Sequence, residues 1–309
     1  MNYTGIDKII HGVEDIERCI NFFDDWGLEK KSVGKNSALY LTMDGSEVLL
    51  CDKKDPSLPE PIEEGSTVRH IIWGVRSKTD LAKINKKISG HDTYKELYGF
   101  PSCVDPNGLS VSFRVTQRKI VNAKGSTMNT WDKPDARCDQ RSTVYDEAKP
   151  IKIGHVVFFV SNLARVEKFY LDVLGFTVSD RYPGAGSFMR CSTPGGHHSL
   201  FILETPDKKV GLNHVAYTVR DIHEVFGGGI KIDRCGWKTQ IGPGRHPISS
   251  AYFWYVENPA GGLAEYFTDE DYCTDKWEAR NFKRSNEMFT EWAIDGGIDF
   301  RTRRQHLPE

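Results

Sequence analysis

The stretches IDKIIHGVEDIERCINFFDDWGL (residues 6–28) and IGHVVFFVSNLARVEKFYLDVLGF (residues 153–176) resemble each other along their whole length. Each has a short apolar run, a polar turn and an amphipathic helical pattern that ends at a glycine, Gly27 or Gly175. The second stretch has one additional residue just before its glycine. Internal similarity at this separation indicates that the chain is built from repeated structural units.

Two further pairs of stretches extend the repeat. VRHIIWGV (68–75) resembles LNHVAYTV (212–219), and DPNGLSVSF (105–113) resembles NPAGGLAEY (258–266). The Pro-x-Gly turn of the last pair cannot continue a strand, so it precedes a final strand in each half. We therefore predict an α+β fold of four β-α-β-β-β units, which begin near Ile6, Val68, Ile153 and Leu212.

The length of the chain, 309 residues, is about twice that of a typical domain. We predict an N-terminal domain at residues 1–114 and a C-terminal domain at 151–268, joined by a linker at 115–150 that has little apolar periodicity. The segment 269–309 is expected to pack on the body of the protein, because it contains large aromatic residues among its charges. These are Trp277, Phe282, Phe289 and Trp292.

The composition excludes several classes of protein. The chain has 41 Lys and Arg residues against 43 Asp and Glu residues, a net charge of −2, so we expect no nucleic-acid partner. Its apolar runs are far shorter than the roughly 20 residues of a membrane-spanning helix, and no signal peptide is visible. Seven scattered cysteines without a CxxC pair are typical of neither a disulfide framework nor a structural zinc site. We therefore predict a cytoplasmic protein with no membrane partner.

Three residues that can bind a metal lie in apolar strands of the second half. His155 and His214 occupy matching positions at the start of consecutive units, and Glu265 lies in the last strand. A lone strand histidine is more often a core residue, and a lone buried glutamate can pair with arginine, but the repeat predicts that these side chains converge. Two imidazoles and one carboxylate form the facial triad of a non-haem Fe(II) site, which leaves three coordination positions open. The same ligands also accept zinc or Mn(II).

The first half provides an internal comparison for this site. At the three matching positions it has Lys8, His70 and Ser112, so only the histidine is retained. A protonated lysine has no lone pair to offer a metal, and serine is a poor ligand. We therefore expect the N-terminal domain to be structural and metal-free.

On these motifs the chain resembles the type I extradiol ring-cleaving (catechol) dioxygenases, two-domain members of the vicinal oxygen chelate superfamily. The resemblance covers residues 6–268 and is strongest over 153–267, where the ligand motifs are GHVVFFV, LNHVAY and NPAGGLAEYF. It implies that the four modules are paired into two vicinal-oxygen-chelate domains. It also implies that the C-terminal domain holds Fe(II), with Mn(II) as the alternative, at His155, His214 and Glu265.

The resemblance further implies an activity and additional site residues. Such an enzyme uses Fe(II) and O₂ to cleave the ring of a catecholic substrate in the degradation of aromatic compounds, and it is expected to be a homo-oligomer. His198, in GGHHSLFILE, would act as the acid–base catalyst, while His246 and Tyr255 would hold the substrate oxygens. Histidine suits proton transfer because its ordinary pKa of about 6.5 lies near neutral pH.

Other interpretations of these residues stay open on the sequence alone. His197 and His198 follow PGG and could both lie on a solvated turn. We prefer His198, because it opens the apolar strand SLFIL and strand alternation lets only one of the two face inward. His246 could be a surface histidine of a Gly- and Pro-rich loop, and Tyr255 could be a core residue.

Other functions also stay open. An enzyme like 4-hydroxyphenylpyruvate dioxygenase shares the metal ligands but does not need the other site residues, and a glyoxalase-type isomerase usually needs a fourth protein ligand that the sequence does not offer. A metal-free binding protein on the same fold needs only an apolar cavity, whose lining could be Phe188, Phe201, Tyr252 and Trp254. A carboxylate on the substrate could be neutralised by arginines near the predicted site. These are Arg181, Arg190 and Arg245.

Overall fold

The computed structural model describes residues 1–295 of the chain. Its first half contains eight strands and two helices. They are β1 (Tyr3–Val13), α1 (Ile16–Asp25), β2 (Glu29–Val33), β3 (Ser37–Leu41), β4 (Glu47–Asp52), β5 (Thr67–Val75), α2 (Lys78–Ile88), β6 (Lys95–Leu97), β7 (Phe100–Val104) and β8 (Ser110–Val115). The strands form one mixed sheet with the order β2-β3-β4-β1-β5-β8-β7-β6.

The second half repeats this plan and adds short elements at its end. Its elements are β9 (Lys152–Phe159), α3 (Leu163–Lys168), β10 (Thr177–Tyr182), β11 (Gly186–Arg190), β12 (Gly195–Gly196), β13 (Leu200–Leu203), β14 (Gly211–Thr218), α4 (Ile222–Arg234), β15 (Thr239–Arg245), β16 (Tyr252–Glu257), β17 (Leu263–Thr268), β18 (Tyr272–Cys273), β19 (Arg280–Asn281), α5 (Asn286–Phe289) and β20 (Trp292–Asp295). Ten of these strands form one sheet with the order β19-β10-β11-β13-β9-β14-β17-β16-β15-β20, while β12 pairs with β18.

The strand order reveals the internal repeat. In each sheet the first strands of two units, β1 and β5 or β9 and β14, lie side by side and antiparallel at the centre. The last strand of each unit pairs in parallel with the first strand of the same unit: β4 with β1, β8 with β5, β13 with β9 and β17 with β14. The predicted α+β fold of four β-α-β-β-β units is therefore confirmed, with β12 as an addition to the third unit.

Each unit's helix begins at a residue whose side chain caps it. The side chains of Asp15, Ser77, Asn162 and Asp221 each accept a hydrogen bond from the backbone N–H group three residues later. An N-cap of this kind satisfies one of the N–H groups that a helix leaves unpaired at its start. The polar turn that follows each unit's first strand in the sequence is therefore what starts the helix.

The residue inserted before Gly175 changes the end of the third unit's helix. α3 continues directly into a π-helical turn at Phe169–Val173, in which the N–H group of Leu174 donates to the carbonyl oxygen of Phe169. A turn of this kind accommodates one extra residue in a helix. The helical segments that follow β1 and β9 are nevertheless each followed by a glycine in the left-handed region, with φ +82° at Gly27 and +74° at Gly175.

Trp26 and Tyr266 form a buried contact between the two halves. Their rings stack with centroids 3.6 Å apart, and the Tyr266 hydroxyl donates to the carbonyl oxygen of Trp26 at 2.7 Å. Both side chains are fully buried. Because Tyr266 follows Glu265 on β17, this contact links the first half to a strand that carries a candidate metal ligand.

We expect Trp26→Ala to lower the free energy of unfolding by about 3–5 kcal/mol, because it removes a large buried ring and leaves a cavity at this contact. Urea unfolding followed by circular dichroism measures the change. Trp131→Ala is the matched control, because Trp131 is 99% exposed, and it should change the free energy by no more than about 0.5 kcal/mol. Equal effects of the two substitutions would contradict the role given to Trp26.

The segment after the first sheet has almost no regular secondary structure, whereas the segment after the second sheet adds strands to it. Residues 116–151, all of which the structure describes, contain one isolated bridge and no helix or longer strand. Residues 269–295 lie against the second sheet, where β19 pairs with β10 and β20 pairs with β15. Residues 296–309, which belong to the predicted C-terminal segment, lie outside the described residues. The predicted domain limits at 1–114 and 151–268 stay predictions.

No helix between residues 1 and 295 has both the length and the apolar character needed to cross a membrane.

Candidate metal centre

Three neighbouring strands at the centre of the second sheet carry the candidate ligands. The strands lie in the order β9-β14-β17, and His155 on β9 and Glu265 on β17 both pair with Ala216 on the strand between them. His214 lies two residues before Ala216 on the same strand, so its side chain points to the same face of the sheet. Strand register therefore brings all three side chains together, as the repeat predicts.

The ligand atoms of these residues converge on one point. Nε2 of His155 lies 3.2 Å from Nε2 of His214, and Oε2 of Glu265 lies 3.1 Å from the first nitrogen and 3.2 Å from the second. All three side chains are buried. Two ligand atoms that each lie about 2.1 Å from one ion, at right angles to each other, are about 3 Å apart. The three separations therefore fit one metal ion held by three atoms.

The charge of this cluster also suits a cation. Burial lowers the pKa of His155 to about 4, so its imidazole is neutral at pH 7. Burial raises the pKa of Glu265, but the imidazoles of His155, His214 and His246 beside it outweigh burial and hold that pKa well below its usual range. Within residues 1–295, no side chain gives Oε2 of Glu265 a well-directed hydrogen bond. A buried carboxylate oxygen left in this state is costly unless a cation compensates it.

Asn213 fixes the orientation of His214. Nδ1–H of His214 donates to the side-chain oxygen of Asn213 at 2.6 Å. With the proton on Nδ1, the lone pair of Nε2 faces the other two ligands, which is the form that a metal requires. No sequence pattern marks Asn213 for this role, since an asparagine before a strand histidine has many other uses.

His246 and Tyr255 form a hydrogen-bonded pair beside the cluster. The Tyr255 hydroxyl lies 3.0 Å from Nε2 of His246, and Nδ1 of His246 lies 2.6 Å from the carbonyl oxygen of Phe289. Because a carbonyl only accepts, Nδ1 carries the proton and the tyrosine hydroxyl donates to Nε2. Nε2 is also 3.8 Å from Oε1 of Glu265. The Gly- and Pro-rich loop thus places His246 next to the candidate ligands and not on the surface.

His198 lies beside His155. Its ring centroid is 4.0 Å from that of His155, and it lines the same cavity. Burial, with His155 and His197 beside it, holds the pKa of His198 well below its usual range, so the ring is neutral. His197 is also buried, but it does not line the cavity, so the two histidines are not on a solvated turn.

The cluster opens into a cavity of about 400 Å³. Phe188 and Phe201 form part of its wall, where their rings stack with centroids 3.9 Å apart. Further apolar side chains lie in the wall, among them Tyr182, Ile248, Met288 and Phe289. The wall also contains polar side chains, which are Ser249, Arg284, Ser285 and Asn286. The cavity therefore has room for one substituted aromatic ring in a mostly apolar environment.

The prediction that Tyr252 and Trp254 line this cavity is wrong. Successive side chains of a strand point to opposite faces, and on β16 the face of Tyr255 is the one that contains the cluster. Trp254 instead packs against α4, where an added Cβ at Gly229 would lie 2.1 Å from the indole ring.

The three arginines considered as carboxylate partners are also absent from the described cavity wall. Arg181 pairs with Glu167 at 2.7 Å, and Arg245 pairs with Glu291 at 2.6 Å. Arg190 donates to a threonine hydroxyl, a serine hydroxyl and a backbone carbonyl close to its own strand. Their guanidinium groups are therefore engaged elsewhere.

Glu270 is a cavity residue that sequence reasoning missed. It follows β17, lines the cavity near His198, and its Oε2 has no hydrogen-bond partner within residues 1–295. Burial raises the pKa of its carboxyl from 4.5 to about 7. It lies between charged and acidic residues of the segment TDEDY, where nothing in the pattern separates a buried carboxylate from exposed ones.

We expect the stability of the wild-type protein to fall, relative to Glu270→Gln, as the pH rises from about 5 to about 8. In this range the unfolded chain ionises Glu270 before the folded protein does, so the cost of burying the charge accumulates until the folded pKa of about 7 is passed. The relative change in the free energy of unfolding should be about 2–3 kcal/mol. Denaturant unfolding at both pH values measures it, and parallel stability profiles of the two proteins would contradict it.

The matching positions of the first half form ordinary polar contacts. Nε2 of His70 lies 2.6 Å from the hydroxyl oxygen of Ser112, and Lys8 forms an ion pair with Glu47 at 2.9 Å. The lysine that replaces the first histidine thus has a carboxylate partner from the neighbouring strand.

Comparison with known proteins relates the second half to a family. Residues 152–271 match the Glyoxalase/Bleomycin resistance protein/Dioxygenase superfamily. The chain is 32% identical over 193 residues to metapyrocatechase 2 of Cupriavidus necator, an alignment that covers 62% of this chain and 59% of that protein. It is 30% identical over 119 residues to 2,2',3-trihydroxybiphenyl dioxygenase of Sphingomonas paucimobilis, which covers 37% of this chain and 40% of that protein. The chain thus spans about half the length of these curated relatives.

A solved structure shares the fold of the described residues. The Mn(II)-bound glyoxalase from Novosphingobium aromaticivorans superposes with a TM-score of 0.74, covering 100% of this chain and 95% of that chain, at 24% sequence identity. The family match at 152–271 includes the three candidate ligands together with His198, His246 and Tyr255. Residues 152–271 therefore match the Glyoxalase/Bleomycin resistance protein/Dioxygenase superfamily, which confirms the predicted resemblance over this part of the chain.

Proposed function

We propose that this protein is an extradiol dioxygenase that uses non-haem Fe(II) and O₂ to cleave the ring of a catecholic substrate. One observation carries the proposal: two imidazole nitrogens and one carboxylate oxygen lie within 3.2 Å of one another at the wall of a cavity of about 400 Å³. Such a two-histidine, one-carboxylate set leaves open positions on a ferrous ion. The curated relatives, metapyrocatechase 2 and a trihydroxybiphenyl dioxygenase, support the same reaction class.

His155, His214 and Glu265 would hold the metal. When bound there, Fe(II) supplies the one-electron chemistry that lets O₂ react with an aromatic diol. The same three side chains can bind Mn(II), so the identity of the metal is part of the proposal. A single carboxylate leaves a divalent ion with a formal charge of +1, which favours an anionic catecholate over a neutral ligand.

His198, His246 and Tyr255 would accept the proton of the substrate and stabilise its negative charge. His198 is neutral, so it can take the proton that a catechol hydroxyl must lose. The Tyr255 hydroxyl, now bonded to His246, is a donor that can turn to a substrate oxygen on which negative charge develops. The apolar cavity wall excludes water from these groups and strengthens each of these interactions.

The cavity favours a substrate with an apolar substituent. Beyond the polar cluster its wall is mostly aromatic and aliphatic. Arg181, Arg190 and Arg245 are bonded elsewhere, and Arg284, the arginine that does line the described wall, is exposed to solvent. A ring carboxylate buried near Glu270 would therefore meet no buried cation among the described wall residues, which is costly. We propose an alkyl- or aryl-substituted catechol as the preferred substrate class.

Anaerobic loading with Fe(II), followed by O₂ and a panel of catechols, tests the proposal. We expect one O₂ consumed per diol and a yellow ring-fission product, with kcat/KM at least about tenfold higher for an alkyl- or aryl-substituted catechol than for a carboxylated one. The absence of product from every catechol at full iron occupancy would overturn the proposal.

Two alternatives give different results in the same experiment. An enzyme like 4-hydroxyphenylpyruvate dioxygenase would release CO₂ from an α-keto acid and leave catechols intact. A metal-free ligand-binding protein would contain no stoichiometric metal when purified without chelator, whereas the ligand cluster described above predicts one metal ion per chain.

The cysteines bear on the cellular location. All seven cysteines are free thiols, which is typical of a reducing compartment and supports a cytoplasmic location. A homo-oligomer stays a prediction from the family resemblance, and sedimentation analysis of the purified protein would test it.

A further inference from the structure

Asp180, His197 and His198 form a continuous hydrogen-bonded chain behind the candidate acid–base residue. Oδ2 of Asp180 lies 2.9 Å from Nε2 of His197, and Nδ1 of His197 lies 3.1 Å from Nδ1 of His198. Asp180 and His197 are fully buried, while His198 lines the cavity. These hydrogen bonds therefore connect the interior of the protein to the cavity wall.

The direction of these hydrogen bonds follows from Asp180. Burial raises the pKa of its carboxyl, but hydrogen bonds from His197 and Arg280 outweigh burial and keep that pKa below its usual value. An ionised carboxylate only accepts, so Nε2 of His197 carries a proton. In a neutral His197, Nδ1 then has a lone pair and accepts from Nδ1–H of His198. His198 is left with a lone pair on Nε2, at the far side of its ring.

The C-terminal segment holds Asp180 and His197 in place. Arg280 on β19 donates to Asp180 through its backbone N–H at 2.7 Å and through Nη2 at 3.1 Å. Trp277 donates through Nε1 to the carbonyl oxygen of Ser179 at 2.9 Å, and its ring meets that of His197 edge to face. Both polar ends of His197 are thus satisfied in the interior, which favours a single orientation of its ring.

We propose that His197, held by Asp180, is a positioning residue that keeps His198 in the Nδ1–H tautomer with Nε2 free to accept a proton from the substrate. The inference rests on the proposed function, because that function gives His198 its role. In the other tautomer His198 would present an N–H group to the substrate hydroxyl and could not take its proton. His197 itself does not touch the cavity, so its effect on the reaction passes through His198.

The tautomer of His198 can be measured without turnover. In full-length protein labelled with ¹⁵N-histidine and loaded with diamagnetic Zn(II), two-bond ¹H–¹⁵N correlations report which ring nitrogen carries the proton, and His198→Asn and His197→Asn assign the signals. We expect Nδ1–H at His198 and Nε2–H at His197. A wild-type His198 protonated at Nε2 would overturn the inference, whether or not the protein cleaves catechols.

Two substitutions of His197 provide a matched pair for kinetics. His197→Phe keeps a planar ring but removes the acceptor, and we expect kcat of the Fe(II)-loaded enzyme to fall about 10- to 100-fold while KM and metal content stay within about twofold. His197→Asn keeps an amide oxygen near the Nδ1 position and should retain kcat within about threefold.

Wild-type kcat in His197→Phe would contradict the inference, and so would a loss in His197→Asn as large as that in His197→Phe. If the wild-type protein cleaves no catechol at full iron occupancy, the proposed function fails, and the tautomer measurement then decides the inference by itself.

Discussion

Glu265→Gln is expected to abolish both metal binding at the candidate site and the proposed ring-cleaving activity. The substitution keeps the size of the side chain, but it removes the only negative charge of the ligand cluster and converts one oxygen into an amide nitrogen without a lone pair. Two neutral imidazoles would then face a divalent cation in a buried site with no anion to compensate it. We expect metal content below about a tenth of that of the wild type, and kcat/KM at least about 10³-fold lower.

The metal content of Glu265→Gln is measured by elemental analysis, and its activity by oxygen consumption with a catechol. Glu257→Gln is the matched control, since Glu257 lies on the neighbouring strand, is exposed and pairs with Lys238 at 2.5 Å. It should bind metal and turn over like the wild type. Full metal occupancy together with wild-type activity in Glu265→Gln would rule out Glu265 as a ligand.

The candidate ligands could be predicted because their positions follow from strand register. His155 and His214 occupy matching positions in consecutive units, and the pairing of neighbouring strands places residues at matching positions close together. The fold class followed from the same repeat, and even the single residue inserted before Gly175 has a structural counterpart in the π-helical turn of Phe169–Val173.

Other parts of the site depend on contacts that no local pattern contains. The partner of His246 is a backbone carbonyl, that of Phe289, so no residue type marks it. Asp180 reaches His197 because β10 contacts the segment that leads into β13, where the Ser179 hydroxyl also donates to the carbonyl oxygen of His197. The orientation of Trp254, in contrast, could have been predicted locally. It is adjacent to Tyr255 on one strand, so the two side chains must point to opposite faces of the sheet.

His198→Asn is expected to slow the reaction without removing the metal. His198 is not one of the three residues whose ligand atoms converge, so its loss leaves the metal site intact. An asparagine amide is not a base at neutral pH, so the substrate proton must leave to water or to a less favourable group. We expect kcat to fall by about 10²- to 10³-fold, with metal content unchanged and KM within about threefold. Steady-state oxygen consumption and elemental analysis of the same sample measure these quantities.

His223→Gln is the control for His198→Asn, because His223 lies on α4 and outside the cavity wall, and it should behave like the wild type. The comparison with Glu265→Gln then separates the two kinds of residue. A ligand variant loses metal and rate together, whereas an acid–base variant loses rate alone, since proton transfer matters only after substrate and metal are in place. Loss of metal in His198→Asn would therefore place His198 among the ligands. An unchanged kcat would leave the substrate proton to another group, and the buried carboxyl of Glu270 in the same cavity is a candidate.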